Sequence, residues 1–122
     1  MVKLVFCLRR RSDISAEEFH RYWGQEHAAL VTGYAEVLGI RRYVQLHTEP
    51  GPANAALAAS RGAPEPYDGI AELWFDDAEA LAASAATGEG MAAAIDLAHD
   101  EERFIDHSRS PLFVAAEQVI IG

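Results

Sequence analysis

The amino-acid sequence predicts an α+β domain in which four antiparallel strands carry two helices on one face, in the order strand, helix, strand, strand, helix, strand. Three observations lead there. Residues 2–8, 40–48 and 67–75 are short β-forming stretches in which apolar positions recur with a period near two. Ser15 with Glu18, and Asp76 with Glu79, are capping boxes at the heads of two helical stretches. A last apolar run, 112–121, supplies the fourth strand. With 122 residues the chain suits one domain, 1–122, with one continuous core.

Each element follows from local chemistry. Val2 to Leu8 alternates and stops at the run Arg9, Arg10, Arg11. The Ser15 hydroxyl can accept a first-turn N–H while Glu18 reaches back, and the helix should run from about Ala16 to Gly33, where positive φ costs glycine little. Ile40 to Thr48 mixes β-branched and aromatic residues with charges and reads as the second strand. The segment from Pro50 to Pro66 is rich in alanine, proline and glycine, and reads as a loop with one helical turn at 54–60, a candidate lid. After the strand from Tyr67 to Phe75, an alanine-heavy helix begins at Asp76, is interrupted near Gly88 and Gly90, resumes from Met91 to Ala98 and makes a last turn over 100–105. This is the βαββαβ order of a ferredoxin-like fold. Right-handed crossovers place both helices on one side of the sheet. The final strand is nevertheless apolar at both parities, Leu112, Val114 and Ile120 against Phe113, Ala115, Val119 and Ile121, so the second face is expected to be covered, most simply by a twofold partner.

Composition narrows the classes of function. Half of the residues are hydrophobic, which removes a disordered chain. Ten Lys and Arg against nineteen Asp and Glu leave a formal charge of −9, which opposes phosphate backbones and anionic membranes, so neither nucleic acid nor membrane is an expected partner. The single cysteine, Cys7, can form neither an internal disulfide nor a thiolate cluster, and reads as a small core residue of a protein in a reducing compartment. No signal-peptide order and no bilayer-length apolar run is present, and the expected location is cytoplasmic.

On a wheel of about 100° per residue, Tyr22, Trp23, Glu26 and Leu30 fall within about 60° of Phe19, and His27 about 80° away at the border of the stripe. Phe19 and Leu30 read as core. Tyr22 and Trp23 each join a large apolar body to a polar tip that wants a partner. Glu26 is the anomaly, because a carboxylate amid apolar neighbours is costly unless paired, hydrogen-bonded or facing a cavity. His27 reads either as a border histidine bonded to backbone or as a site residue. In the third strand Asp68, Ile70, Glu72 and Trp74 share one face, which sets Glu72 among apolar neighbours as a salt-bridge partner or a pocket residue. His20, His47, His99 and His107 have no spacing that builds a metal site, though His99 and His107 flank the late acidic turn and could frame a pocket mouth.

Phe19, Tyr22-Trp23 and Glu26-His27-Ala28 after an opening strand resemble the F-x-x-Y-W-x-x-x-H-A signature of the EthD family. Asp68-Gly69 leading into 71–75 is similar to that family's third strand, and 100–106 to its late acidic-aromatic turn, which contains Phe104. The resemblance spans nearly the whole chain. It implies a dimeric α+β barrel, with two sheets face to face, and a small-molecule pocket between sheet and helices. It also brings in cyclases, dehydratases, cofactor-free monooxygenases, isomerases and haem-degrading enzymes of the same superfamily. His27 matches the characteristic histidine, and Tyr22, Trp23, Asp68 and Trp74 match positions expected to line or support the pocket.

The resulting expectation is a homodimeric, cofactor-independent enzyme acting on a hydrophobic, aromatic or polyketide-like small molecule by general acid–base chemistry. His27 would move the proton, since an imidazole titrates near neutral pH. Tyr22 and Glu72 would position or polarise a substrate oxygen. Trp23, Glu26, Asp68, Trp74, His99 and Phe104 would contact the substrate. Cyclisation, dehydration, isomerisation and anthrone-type oxygenation all need proton removal beside a carbonyl. A second reading keeps the pocket without the chemistry, as a carrier or accessory protein. A third, haem binding, rests only on scattered histidines.

Overall fold

A computed structural model describes all 122 residues. Strand β1 (Val2–Leu8) lies inside a four-stranded sheet of order β2-β3-β1-β4, in which β2 is Arg42–His47, β3 is Gly69–Phe75 and β4 is Leu112–Ala115. Every neighbouring pair is antiparallel. The register sets Val5 opposite both Glu72 and Phe113, and Phe6 opposite both Ala71 and Leu112. Directly opposed residues share a face. Phe6, Leu4, Ala71, Leu73 and Phe75 therefore look toward the helices, whereas Lys3, Val5, Glu72 and Trp74 look away. The fold is ferredoxin-like α+β.

The first helix is longer and less regular than its sequence suggests. The Glu18 N–H donates to Ser15 Oγ at 3.1 Å, one half of the capping box and worth about 1 kcal/mol, while the Glu18 carboxylate pairs with Arg21 at 2.7 Å instead of reaching back. The helix then runs as α1 (Ala16–Tyr22), a π-helical turn (Trp23–His27) and α2 (Ala28–Leu38). It passes through Gly33 and ends at Gly39, whose φ of 73° is the left-handed cap that glycine supplies.

Other expectations are corrected in the same way. Pro52–Arg61 forms a full helix, α3, with Pro52 in its first turn, where a missing N–H costs nothing. None of its residues reaches the interior cavity described below, so the lid expectation fails. Asp77, not Asp76, caps α4 (Ala78–Ser84) by accepting from the Ala80 N–H, and Asp76 instead pairs with Arg41. Thr87 caps a separate helix, α5 (Gly88–Glu101). Gly90 sits where a Cβ would lie 1.8 Å from the Ser84 carbonyl oxygen, so glycine there lets the end of α4 press against the start of α5. Strand β4 closes at Ala115 rather than 121, and Val119, Ile120 and Ile121 are exposed.

The core comes in two parts. One gathers Phe6, Leu8, Phe19, Trp23, Ala71, Phe104 and Ile105, the other Val31, Leu38, Ala93 and Leu97, and Tyr43 and Leu73 touch both. Between them α5 offers the sheet Ala94 and Ala98, which are too short to fill the gap. No helix is long and apolar enough to cross a membrane.

Candidate functional site

The gap is a cavity of about 280 Å³ between sheet and helices. Twenty residues line it, and only His27, Ser84 and Glu101 are polar, joined by the phenol of Tyr43. Ala94 and Ala98 of α5 form part of one wall, Phe6 and Leu73 part of the opposite one. Such a space favours an apolar ligand and leaves recognition to a few polar atoms.

The π turn places His27 in this wall. The Ala28 N–H reaches back five residues to the Trp23 carbonyl, so the turn holds one residue more than an α-helical turn. That extra residue rotates everything after it. His27 swings from the border of the stripe into the interior, 5% exposed, while Glu26 swings out to solvent and pairs with Arg21 at 2.9 Å. The apolar setting expected for Glu26 is thus corrected, and with it any direct substrate contact. Beyond the turn the rotated face carries Val31 and Leu38 into the second core.

Two residues hold the imidazole. Asp100, in the last turn of α5, takes His27 Nδ1 at 2.7 Å on one carboxylate oxygen and accepts from the Tyr22 hydroxyl at 2.6 Å on the other. Arg103 stands 3.4 Å from that second oxygen. The Phe104 ring meets His27 edge to face, with centroids 5.0 Å apart. A carboxylate beside Nδ1 favours the tautomer with the proton on Nδ1, which leaves Nε2 as a lone-pair base. Nε2 has no hydrogen-bond partner within the protein and is not sealed off, and the His27 ring lines the cavity. Burial, followed by the bond to Asp100, pushes the Tyr22 phenol up to about 12. Tyr22 therefore stays a donor to Asp100 and does not line the cavity, which corrects its expected contact with a substrate oxygen.

Trp23 lines the cavity and is 1% exposed, its indole lying over the His47 ring at 4.4 Å. Phe104 lies behind His27 rather than in the wall. The other expected residues are not brought together with them. Glu72 and Trp74 lie on the far side of the sheet, where Lys3 binds Glu72 at 2.9 Å and stands over Trp74 with Arg42. Alternation along β3 puts a whole sheet between them and His27. Asp68 accepts from the Arg10 N–H at 2.9 Å and is absent from the wall. His99 is exposed on α5.

Two site residues escaped the sequence reading. Asp100 was visible only as part of an acidic turn, and its role depends on a contact across 73 positions. Glu101 lines the cavity, and burial raises its carboxyl above the ordinary range, partly offset by His107, whose Nε2 lies 3.0 Å from Oε1. His20 and His47 do meet, Nδ1 to Nδ1 at 2.7 Å, yet no group of three His, Cys, Asp or Glu residues is arranged to hold a metal.

The EthD domain model matches residues 11–108. Among solved structures, the chain is similar to an ethyl tert-butyl ether degradation (EthD) family protein from Bacillus halodurans, with 21% identity, 97% of this chain and 99% of that one covered, and a TM-score of 0.64. A dimeric protein of ferredoxin-like fold from Bacteroides fragilis matches at 17% identity, 93% of each chain and a TM-score of 0.57. A candidate antibiotic biosynthesis monooxygenase from Deinococcus radiodurans matches at 14% identity, 100% of this chain and 97% of that one, with a TM-score of 0.53. A search of curated proteins finds no match.

Proposed function

This chain belongs to the EthD family, and from that premise we propose that it is a cofactor-independent enzyme that removes a proton beside the carbonyl of a small apolar, aromatic substrate. The observation that carries the reading is the single imidazole lining the apolar cavity, tied through Nδ1 to Asp100 with Nε2 left without a partner in the protein. His27 is the catalytic base. Asp100 and Tyr22 are positioning residues, fixing the tautomer and the ring plane. As Nε2 takes the proton, the C–H pair becomes the C=C bond of an enol or enolate, and Asp100 balances the charge gained by the ring. Isomerisation, dehydration, cyclisation and anthrone-type oxygenation all start from this step.

The cavity, about 280 Å³, lies at the low end of the usual range for ligand pockets. It suits one or two fused rings better than a long polyketide. The chain also acts as a homodimer in this reading, because Leu46 and Phe113 remain about half exposed on the helix-free face and ferredoxin-like relatives are described as dimeric.

The test is α-proton exchange of 2-tetralone in D2O, followed by NMR. Exchange above buffer that disappears in His27→Ala and His27→Gln supports the base. Exchange at the wild-type rate in both folded variants removes His27 from the mechanism. A carrier lacking chemistry would bind tetralone without exchanging it.

A further inference from the structure

The base has an unexplained companion. Glu101 follows Asp100 directly, yet it lines the cavity while the Asp100 carboxylate is taken up by Tyr22 and His27. Its partner, His107, belongs to the short 3₁₀ turn His107–Arg109 and lies against Phe6, with the rings nearly parallel at 6.2 Å. His107 is 41% exposed and borders a separate polar depression with Arg11, Asp13, Glu102, Asp106 and Ser108. The pair thus has one end in the apolar interior and the other in water. Ion pairs that serve stability alone rarely sit across such a boundary, because desolvating one end costs more than the exposed contact returns.

We propose that Glu101 is a second catalytic residue of the cavity, a proton donor to the substrate oxygen, and that His107 connects it to solvent. The inference rests on His27 acting as the base. As His27 Nε2 takes the carbon-bound proton, the C–H electrons form the C=C bond and the carbonyl π electrons move to oxygen. That oxygen takes the proton of the Glu101 carboxyl. The carboxylate left behind recovers a proton through Nε2 of the His107 imidazolium, and the neutral His107 ring is reprotonated from water. Burial raises Glu101 toward the protonated state that this role needs, and the facing groups are His107, His27, the neighbouring Asp100 and, on β2, Tyr43. The His27 imidazolium gives up the abstracted proton to water that reaches Nε2 while the enol is bound, which closes the cycle and lets deuterium return to the carbon.

The experiment is the pH profile of 2-tetralone exchange for the purified wild type, His27→Gln, Glu101→Gln and His107→Ala. The wild-type rate is expected to rise with pH as the base is uncovered and then fall as Glu101 loses its proton. Glu101→Gln should lower the maximum at least tenfold and remove the alkaline fall. His107→Ala should move that fall to higher pH, because the donor that stabilises the carboxylate is gone. A Glu101→Gln variant that keeps both the rate and the fall overturns the inference, even where His27→Gln confirms the base. If the wild type does not exchange tetralone, the base reading fails, and Glu101 is judged by the ¹³C titration of its carboxyl with tetralone bound. A carboxyl in the ordinary glutamate range overturns the proposal. One held above it, and raised further in His107→Ala, supports it.

Discussion

Gly69 is the position at which the smallest chemical change should have the most calculable effect. A Cβ built there lies 2.4 Å from Cζ3 and 2.6 Å from Cη2 of Trp23, and 2.9 Å from the Leu46 carbonyl oxygen. Carbon atoms in contact settle about 3.5–4.0 Å apart, so the indole would have to retreat by about 1 Å. It has little room. Phe19 flanks it with centroids 5.5 Å apart, His47 lies over it at 4.4 Å, and the open side is the cavity. Overpacking of this kind costs about 1–3 kcal/mol. Alanine recovers about 0.5–1 kcal/mol through its smaller backbone entropy in a strand, so the clash wins. Gly69→Ala should therefore lower the melting temperature by about 3–8 °C. Thermal unfolding followed by circular dichroism measures it, in the wild type and in a Trp23→Leu background. If the indole is the obstacle, the cost of the alanine shrinks by about 1 kcal/mol or more where the ring has been removed. An equal cost in both backgrounds, or none in either, would refute the close approach of Trp23 to β3.

Three further outcomes follow from the site. Tyr22→Phe should cost about 1 kcal/mol in a urea unfolding experiment and slow tetralone exchange about fivefold without changing its KM, as a residue acting through Asp100 should; a changed KM would place Tyr22 against the substrate instead. Glu26→Ala should move stability by less than about 0.5 kcal/mol, since its ion pair with Arg21 is half exposed; a loss well beyond 1 kcal/mol would return Glu26 to the interior. Folded Glu101 holds its proton more tightly than the unfolded chain does, so stability should fall as pH rises from the ordinary glutamate value through the raised one. Glu101→Gln should abolish that fall, which acid-to-neutral unfolding series of the two proteins would reveal.

The chain order of the strands, their antiparallel pairing and the β1 boundaries were legible because they depend on period-two patterning and short-range chemistry. Ser15 worked as a cap because capping is decided within four residues. The candidate site was less legible. A wheel with a fixed 100° step cannot show a π turn, and so it sent Glu26 inward and left His27 at the border. Asp100 reaches His27 and Tyr22 from the far end of the chain, a pairing that no local spacing encodes. Glu72 and Trp74 were grouped correctly with each other on one face of β3, but periodicity alone does not say which face meets the helices, and their partners Lys3 and Arg42 come from neighbouring strands.

The turn at Trp23–His27 gives this helix an unusual relation between length and chemistry. A regular helix is one residue shorter over the same distance, so the feature can appear or vanish through a single inserted or deleted codon. Deleting Gly24 would restore an α-helical count and, at about 100° per residue, still leave His27 facing inward and Glu26 facing solvent, whereas drawing the turn straight with all its residues kept would return the Glu26 carboxylate to the apolar stripe and take the His27 ring off Asp100. Substitution scanning, which preserves the count, would never expose that dependence. A deletion series through the first helix would expose it, and would separate what this site owes to residue identity from what it owes to register.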